Sequence, residues 1–385
     1  MSVGRCTPKP YDCPPWARVL PWIPSHRVQL IMAPTPIHKW ELPGIPSGFD
    51  VHIKRDDMTG CYLSGNKSRK LEFLLADAIQ QDCDTVVTIG SLQSNHARIT
   101  AMAASQVGMK CHLILVTKNT EMKPDDVGCE GNLLLDRLCG AHIALFPTTS
   151  LVTNKQYNEA VDKYAAALRC SNPQSKVYSV PVGGMSVVGE WGYIEAFREM
   201  IEQGVLENFD DIVLSAGTAG TCGAVAIANY LTGSKLKVHG VTIGPKAENL
   251  YQEVNDLLAE YGVHTPEGSL VKASEILDII EGYIGKAYGC STEAELVQLI
   301  DIAVKTGVAL DPDFTAKSVR GLLSELQCNP QRFAGKRILF INTGGTFTLF
   351  DGRINSILKA VPESSNVCSY IKIVHESGEA FVNGN

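Results

Sequence analysis

No stretch of the chain approaches the ~18–20 consecutive apolar residues that cross a bilayer, which argues against a membrane-spanning helix. There is no block of lysine or arginine, and the net charge is −7. The clustered positive charge that binds nucleic acid or an anionic membrane is therefore missing. None of the 12 cysteines is spaced as Cys-x-x-Cys, so neither a zinc ribbon nor a thioredoxin-like pair is indicated, and no metal is expected. Scattered cysteines in a chain this long read as core residues in a reducing compartment, so the cytosol is expected. Residues 1–29 are rich in proline and carry three arginines and one lysine, but they hold no apolar segment. A secretory signal is not expected; a mitochondrial transit segment is the alternative, though serine and arginine are sparse for one. No internal repeat is visible.

What is present is a globular composition, 45% hydrophobic and 19% charged, in 385 residues. That length exceeds one ordinary core, so two lobes are expected. Short β-branched runs alternate with helix-length segments. Strands are expected at Asp84–Ile89, Cys111–Val116, His142–Phe146, Val177–Val182, Asp211–Ser215, Val238–Ile243 and Arg337–Ile341, with helices at Asn95–Val107 and Glu130–Leu138 among them. Wholly apolar strands alternating with helices imply an α/β protein, its parallel sheets covered on both faces. The Pro-rich start reads as a surface arm outside any sheet, because proline cannot donate to a ladder. After Asn355 a helix and a last strand, Ser369–Val374, are expected before a frayed tail.

Three turns sit where a strand meets a helix, the place where open α/β sheets bind ligands. Gly90-Ser-Leu-Gln-Ser-Asn-His-Ala-Arg98 offers free backbone N–H groups at a helix start, although Ser94 also serves as a plain N-cap. Ser215-Ala-Gly-Thr-Ala-Gly-Thr-Cys-Gly223 lets backbone amides approach a phosphate. Its glycines are not spaced as G-x-G-x-x-G and no lysine follows, which disfavours a nicotinamide dinucleotide and a Walker loop. A side chain at Gly220 is expected to block the phosphate while leaving the fold intact. Asn342-Thr-Gly-Gly-Thr346 is by itself an ordinary strand-to-loop turn. Lys67 and Lys70, in Gly65-Asn-Lys-Ser-Arg-Lys-Leu-Glu-Phe-Leu74, share a helix face; lysines at helix starts are usually solvated, whereas one that attacks a carbonyl must be partly desolvated to be neutral.

Taken together, Ile53-Lys-Arg-Asp-Asp57, Gly65 to Glu72, Gln93-Ser-Asn-His96 and Thr343-Gly-Gly345 resemble the family of 1-aminocyclopropane-1-carboxylate (ACC) deaminase and D-cysteine desulfhydrase, over about residues 34–351. The resemblance implies pyridoxal 5′-phosphate (PLP) as cofactor and PLP fold type II, related to the tryptophan synthase β subunit. The large lobe would be residues 1–64 with 179–385, and the small lobe 65–178. Residue by residue, Lys67 matches the lysine that bonds the cofactor. Ser94, with the backbone of Asn95 and His96, would hold a substrate carboxylate, and Asn95 would also lie by the cofactor's phenolic oxygen. Gly217, Thr218, Ala219, Gly220 and Thr221 match the phosphate cradle. Tyr288 matches one of two active-site tyrosines, and Ser94 and Tyr288 are expected to shuttle protons. A homodimer is common in the family.

This chain departs from the deaminases at Phe314-Thr315, where they have Tyr-Glu, and at Thr343, where they have leucine. The desulfhydrase branch carries small hydroxyl residues at the last two positions. Thr315 is expected to face the ring nitrogen of the cofactor unprotonated, and Thr343 to lie with it as a cofactor contact. The expected reaction is β-elimination from D-cysteine to pyruvate, sulfide and ammonia. The alternatives are ACC deamination, a lyase on cysteate or serine, and a PLP-binding protein without turnover.

Overall fold

A computed structural model of the protein describes residues 7–150 and 153–361. The expected strand Ser369–Val374 lies outside these residues. Strands β1 (Pro8–Pro10) and β2 (His26–Val28) pair antiparallel, so the N-terminal arm does form a ladder, although one separate from the main sheets. A three-residue ribbon needs few donors, which is how it tolerates two prolines. The arm docks on a helix of the large core: Tyr11 Oη donates to Glu195 Oε2 at 3.0 Å, and Trp16 meets Phe197 edge to face.

β3 (Ile37–Lys39) and β4 (Asp50–Arg55) open the larger sheet. The chain then builds a second sheet from β5 (Thr85–Ser91), β6 (Lys110–Thr117), β7 (His142–Pro147) and β8 (Val177–Ser179), and returns with β9 (Asp211–Ala216), β10 (Lys237–Thr242), β11 (Asp278–Ile280) and β12 (Arg337–Asn342). The four-stranded sheet runs β7-β6-β5-β8, all parallel. The six-stranded sheet runs β11-β10-β9-β12-β4-β3 and is parallel except for β3, which caps one edge antiparallel to β4. The sequence reading had foreseen only parallel strands. β8 also stops earlier than expected, because Pro181 supplies no donor and Gly183 turns the chain at φ +65°.

Helix α1 (Lys67–Gln80) lies where the two sheets meet. Its Phe73 enters the core around Trp191, Phe197 and Leu214, while Leu71, Leu74, Leu75 and Ala78 enter the core around Val86, Leu113 and Leu115. One helix with two apolar faces thus ties both cores together, and its first residue is Lys67. Helices α2 (Asn95–Val107), α3 (Asn132–Leu138), α4 (Asn154–Ser171) and α5 (Val187–Glu202) follow, and Gly131 at φ +58° sets the start of α3 later than the pattern suggested.

Candidate active site

The segment Ile53 to Asp57 explains how α1 is seated. Asp56 takes two hydrogen bonds from the Arg69 guanidinium, at 2.8 and 2.9 Å, and Arg69 also donates to Glu199 at 2.9 Å. Lys54 pairs with the same Glu199. Burial works against the Asp56 charge, but Arg69 and Lys54 outweigh it and hold the carboxyl down at about 2. Ahead of the helix, Gly65 (φ +121°) and Gly344 (φ +85°) touch; a Cβ on Gly344 would stand 2.6 Å from the Gly65 Cα. The Thr343 carbonyl accepts from the Asn66 N–H at 3.0 Å. Two segments far apart in sequence meet here because neither carries a side chain at the crossing.

Lys67 Nζ donates to the Gly183 carbonyl at 2.9 Å. Burial, and then the neighbouring Lys70 cation, hold its amine well below the usual lysine range. The plain reading of both lysines as solvated is thereby overturned. Lys70 is fully buried and pairs with Glu190 at 2.5 Å, also fully buried. A Cβ on Gly220 would fall inside contact distance of Glu190 Oε1 and 2.8 Å from Lys70 Nζ. The ammonium therefore lies directly beneath the glycine turn after β9. This corrects the expectation that a side chain at 220 would leave the fold intact. Glu190, and its pairing with Lys70, were missed by sequence reasoning; a glutamate in the apolar run Gly189-Glu-Trp-Gly-Tyr-Ile194 was the available signal.

In the turn itself, the Thr218 hydroxyl is buried and has no partner among the described residues. Thr221 Oγ1 accepts from Asn66 Nδ2 at 3.0 Å, which ties the turn to the start of α1. The Ala219 N–H reaches Glu253 Oε2 at 3.3 Å, and Asn154 of α4 donates to the same carboxylate at 2.6 Å. A loop that ends at a helix start and leaves a buried hydroxyl orphaned fits a phosphate.

Across the cleft, Ser94 caps α2, its Oγ accepting from the Ala97 N–H at 3.1 Å. The N–H groups of Asn95 and His96 have no partner within the helix. The His96 ring is buried and held at 2.8 Å by Thr88; burial, reinforced by Lys70 nearby, holds it well below the usual histidine range, so its backbone is what it offers a ligand. Asn95 Oδ1 accepts from Asn132 at 3.1 Å and sits beside Arg98. Arg98, fully buried, donates to the carbonyls of Tyr62 (2.5 Å) and Ser64 (3.0 Å) and lies over the Phe347 ring. It holds the loop that delivers Lys67.

Phe314 meets Tyr288 edge to face, centroids 5.7 Å apart, and lies against Gly217. Tyr288 is 42% exposed, and Asp313 and Asp311 are the carboxylates that act on its phenol. Desolvation there, then Asp313, push the phenol up to about 12, so it stays protonated. Thr315 is buried, and its proton goes to Asp311 Oδ2 at 2.6 Å; its oxygen accepts from the Asp311 N–H at 2.8 Å. In this arrangement the Thr315 hydroxyl donates to Asp311, which leaves one lone pair free on its oxygen. Thr343 is buried at the end of β12 and contributes its carbonyl to the α1 start.

A half-buried lysine at a helix start, its amine held well below the usual range, opposite a phosphate-fitting turn, is the arrangement PLP requires. The family model of pyridoxal-phosphate dependent enzymes matches residues 28–344. The chain belongs to this family. An Arabidopsis thaliana bifunctional D-cysteine desulfhydrase/1-aminocyclopropane-1-carboxylate deaminase, mitochondrial, is 41% identical over 90% of this chain and 84% of that protein. A D-cysteine desulfhydrase of Yersinia enterocolitica is 33% identical over 84% and 95%. The crystal structure of an ACC deaminase homologue superposes with a TM-score of 0.73 at 31% identity, covering 87% of this chain and 96% of that one. The fold is therefore PLP fold type II and the cofactor is PLP. The residues present fit it: Lys67 to bond it, the 217–221 turn with Lys70 beneath to take its phosphate.

Proposed function

We propose that the protein is a lyase removing the β-substituent of a small amino acid, D-cysteine foremost, to give pyruvate, sulfide and ammonia with one water consumed. The observation that carries this is Phe314: it stands against Tyr288 and the phosphate turn where the deaminases present a phenol. Opening a cyclopropane has no heteroatom leaving group and needs that extra acid or base; expelling sulfide does not.

Bound PLP supplies the electron sink that lets a Cα–H bond break. The amine of Lys67, kept neutral by burial, takes the Cα proton. The N–H groups of Asn95 and His96, with the Ser94 hydroxyl, hold the substrate carboxylate at the start of α2. Tyr288, protonated, gives a proton to the departing sulfide. Thr315 and Thr343 would lie beside the ring of the bound cofactor.

The division proposed is a small lobe, 65–178, inserted between 1–64 and 179–385, with α1 as the shared hinge. Leu134 and Leu138 of α3, 49% and 72% exposed, and Phe350, 66% exposed and joined to α3 through the Gly131 N–H, support a homodimer. The ten free cysteines among the described residues support a reducing compartment, and the cytosol is proposed.

A second reading, ACC deamination, is favoured by the Arabidopsis relative, whose name carries both activities. The test is purified protein with D-cysteine, L-cysteine, D-serine and ACC, reading sulfide, pyruvate and 2-oxobutyrate. Sulfide and pyruvate from D-cysteine are expected, with little 2-oxobutyrate. Efficient 2-oxobutyrate release from ACC would overturn the first reading in favour of the second.

A further inference from the structure

Asp311 is not a residue that sequence reasoning singled out, yet it stands where three segments of the site meet. Its Oδ1 accepts the N–H of Asp313 at 2.9 Å and of Phe314 at 2.7 Å. Its Oδ2 accepts both the N–H (2.8 Å) and the hydroxyl (2.6 Å) of Thr315. A Cβ on Gly345 would stand 2.7 Å from its carboxyl carbon and 3.0 Å from Asn95 Nδ2, so the carboxyl abuts the Thr343-Gly-Gly345 turn and Asn95 as well. It is 1% exposed. Desolvation raises its carboxyl to about 6, so it is charged at neutral pH, and the other titratable groups nearby are Asp313, which is paired with Arg353, and the neutral phenol of Tyr288.

We propose that Asp311 is a positioning residue that acts through Thr315: it draws the hydroxyl proton to itself, so that Thr315 presents a lone pair to the cofactor's ring nitrogen and favours that nitrogen in its protonated form. The proposal rests on the PLP reading above. A hydroxyl has one proton. With that proton on the Asp311 side and one lone pair taken by the Asp311 N–H, the free lone pair accepts from an N–H⁺ and cannot serve a bare nitrogen. Asp311 thereby places a negative charge one hydroxyl away from the ring, as a relay in place of a direct carboxylate. The electron sink is strengthened without a glutamate at position 315.

The experiment follows the absorption bands of the PLP-loaded protein across a pH series in parent, Asp311→Asn, Thr315→Val and Thr315→Ser, with melting temperature and bound PLP measured in parallel. In Asp311→Asn the amide donates to Thr315, turns its proton outward and reverses the relay. The midpoint of the band change is expected to fall by about one pH unit, a tenfold loss in proton affinity. Thr315→Val should fall by a similar amount, the double variant Asp311→Asn with Thr315→Val no further than either single, and Thr315→Ser, which keeps the hydroxyl, should keep the parent midpoint. A merely structural role moves melting in Asp311→Asn and leaves the bands alone. Unchanged bands in folded, PLP-loaded Thr315→Val, or additive effects in the double variant, overturn the proposal. A parent protein that takes up no PLP on Lys67 overturns the cofactor reading first, and is told apart because the parent then has no band to follow.

Discussion

Gly220→Ala removes nothing from the protein and adds one methyl group, so its effect reports directly on what lies beneath the phosphate turn. The new Cβ would stand inside contact distance of Glu190 Oε1 and 2.8 Å from both Lys70 Nζ and the Glu190 carboxyl carbon. Neither partner has room to leave. Both side chains are buried, and Glu190 Oε2 already lacks a hydrogen bond. If the pair shifts as a unit, overpacking costs about 1–3 kcal/mol. If it splits, each buried charge loses its partner, at about 3–5 kcal/mol. Taking about 3 kcal/mol, and about 2.1 cal/mol/K of unfolding entropy per residue, the melting temperature should fall by about 4 °C. The same displacement disturbs Lys70 beneath the turn, so PLP affinity should drop by about tenfold or more, about 1.4 kcal/mol. Gly217→Ala is the control for stability alone, since residue 217 itself belongs to the phosphate turn. Its Cβ would meet only Phe314 and Ile243 side-chain atoms, at 3.3 and 3.4 Å, and a small tilt of the ring relieves it at a cost near 1 kcal/mol. Fluorescence titration with PLP and thermal unfolding of both variants decide the matter. A Gly220→Ala protein that melts with the parent and keeps its PLP affinity would refute the reasoning.

Borohydride treatment of the PLP-loaded protein should fix the cofactor on the peptide carrying Lys67, and Lys67→Ala should abolish turnover; an adduct mapped to Lys70 sinks the site assignment. Asp56 is held near 2, below its unfolded value, so its charge stabilises the fold above about pH 4, by roughly 2 kcal/mol, and that contribution is lost as pH falls toward about 2. The stability gap between the parent and Asp56→Asn should therefore narrow on acidification, and a constant gap would show that Arg69 does not discriminate the charge. Arg98→Met strips the Tyr62 and Ser64 carbonyls of their donors, at about 1–3 kcal/mol for each one left unsatisfied. Amide hydrogen exchange should then quicken across residues 61–66 while β6 stays protected, and uniform protection across both would contradict the role given to Arg98.

The sequence by itself determined the parts that depend on local pattern. Alternating apolar strands and helices announced the α/β layers, since strands buried on both faces carry few polar residues. Glycine-rich or polar turns after β5, β9 and β12 marked the ends of strands where ligands bind, and Lys67 was legible as the first residue of a helix within a specific run. Where local pattern misled, the backbone explains it: β8 breaks at Pro181 and Gly183, and three-residue strands such as β3 and β11 are too short to show a period. Only the tertiary structure decided what surrounds the lysine. Its carbonyl partner, Gly183, lies 116 residues on, and the Glu190 that pairs with Lys70 lies 120 residues on. No periodicity links such positions; they meet because α1 is wedged between two cores and presents its first turn to both. Even the short span from Asp311 to Thr315 needed the fold. A threonine four residues after an aspartate reads as a helix start, but which acceptor receives its proton depends on the burial that removes water from the competition.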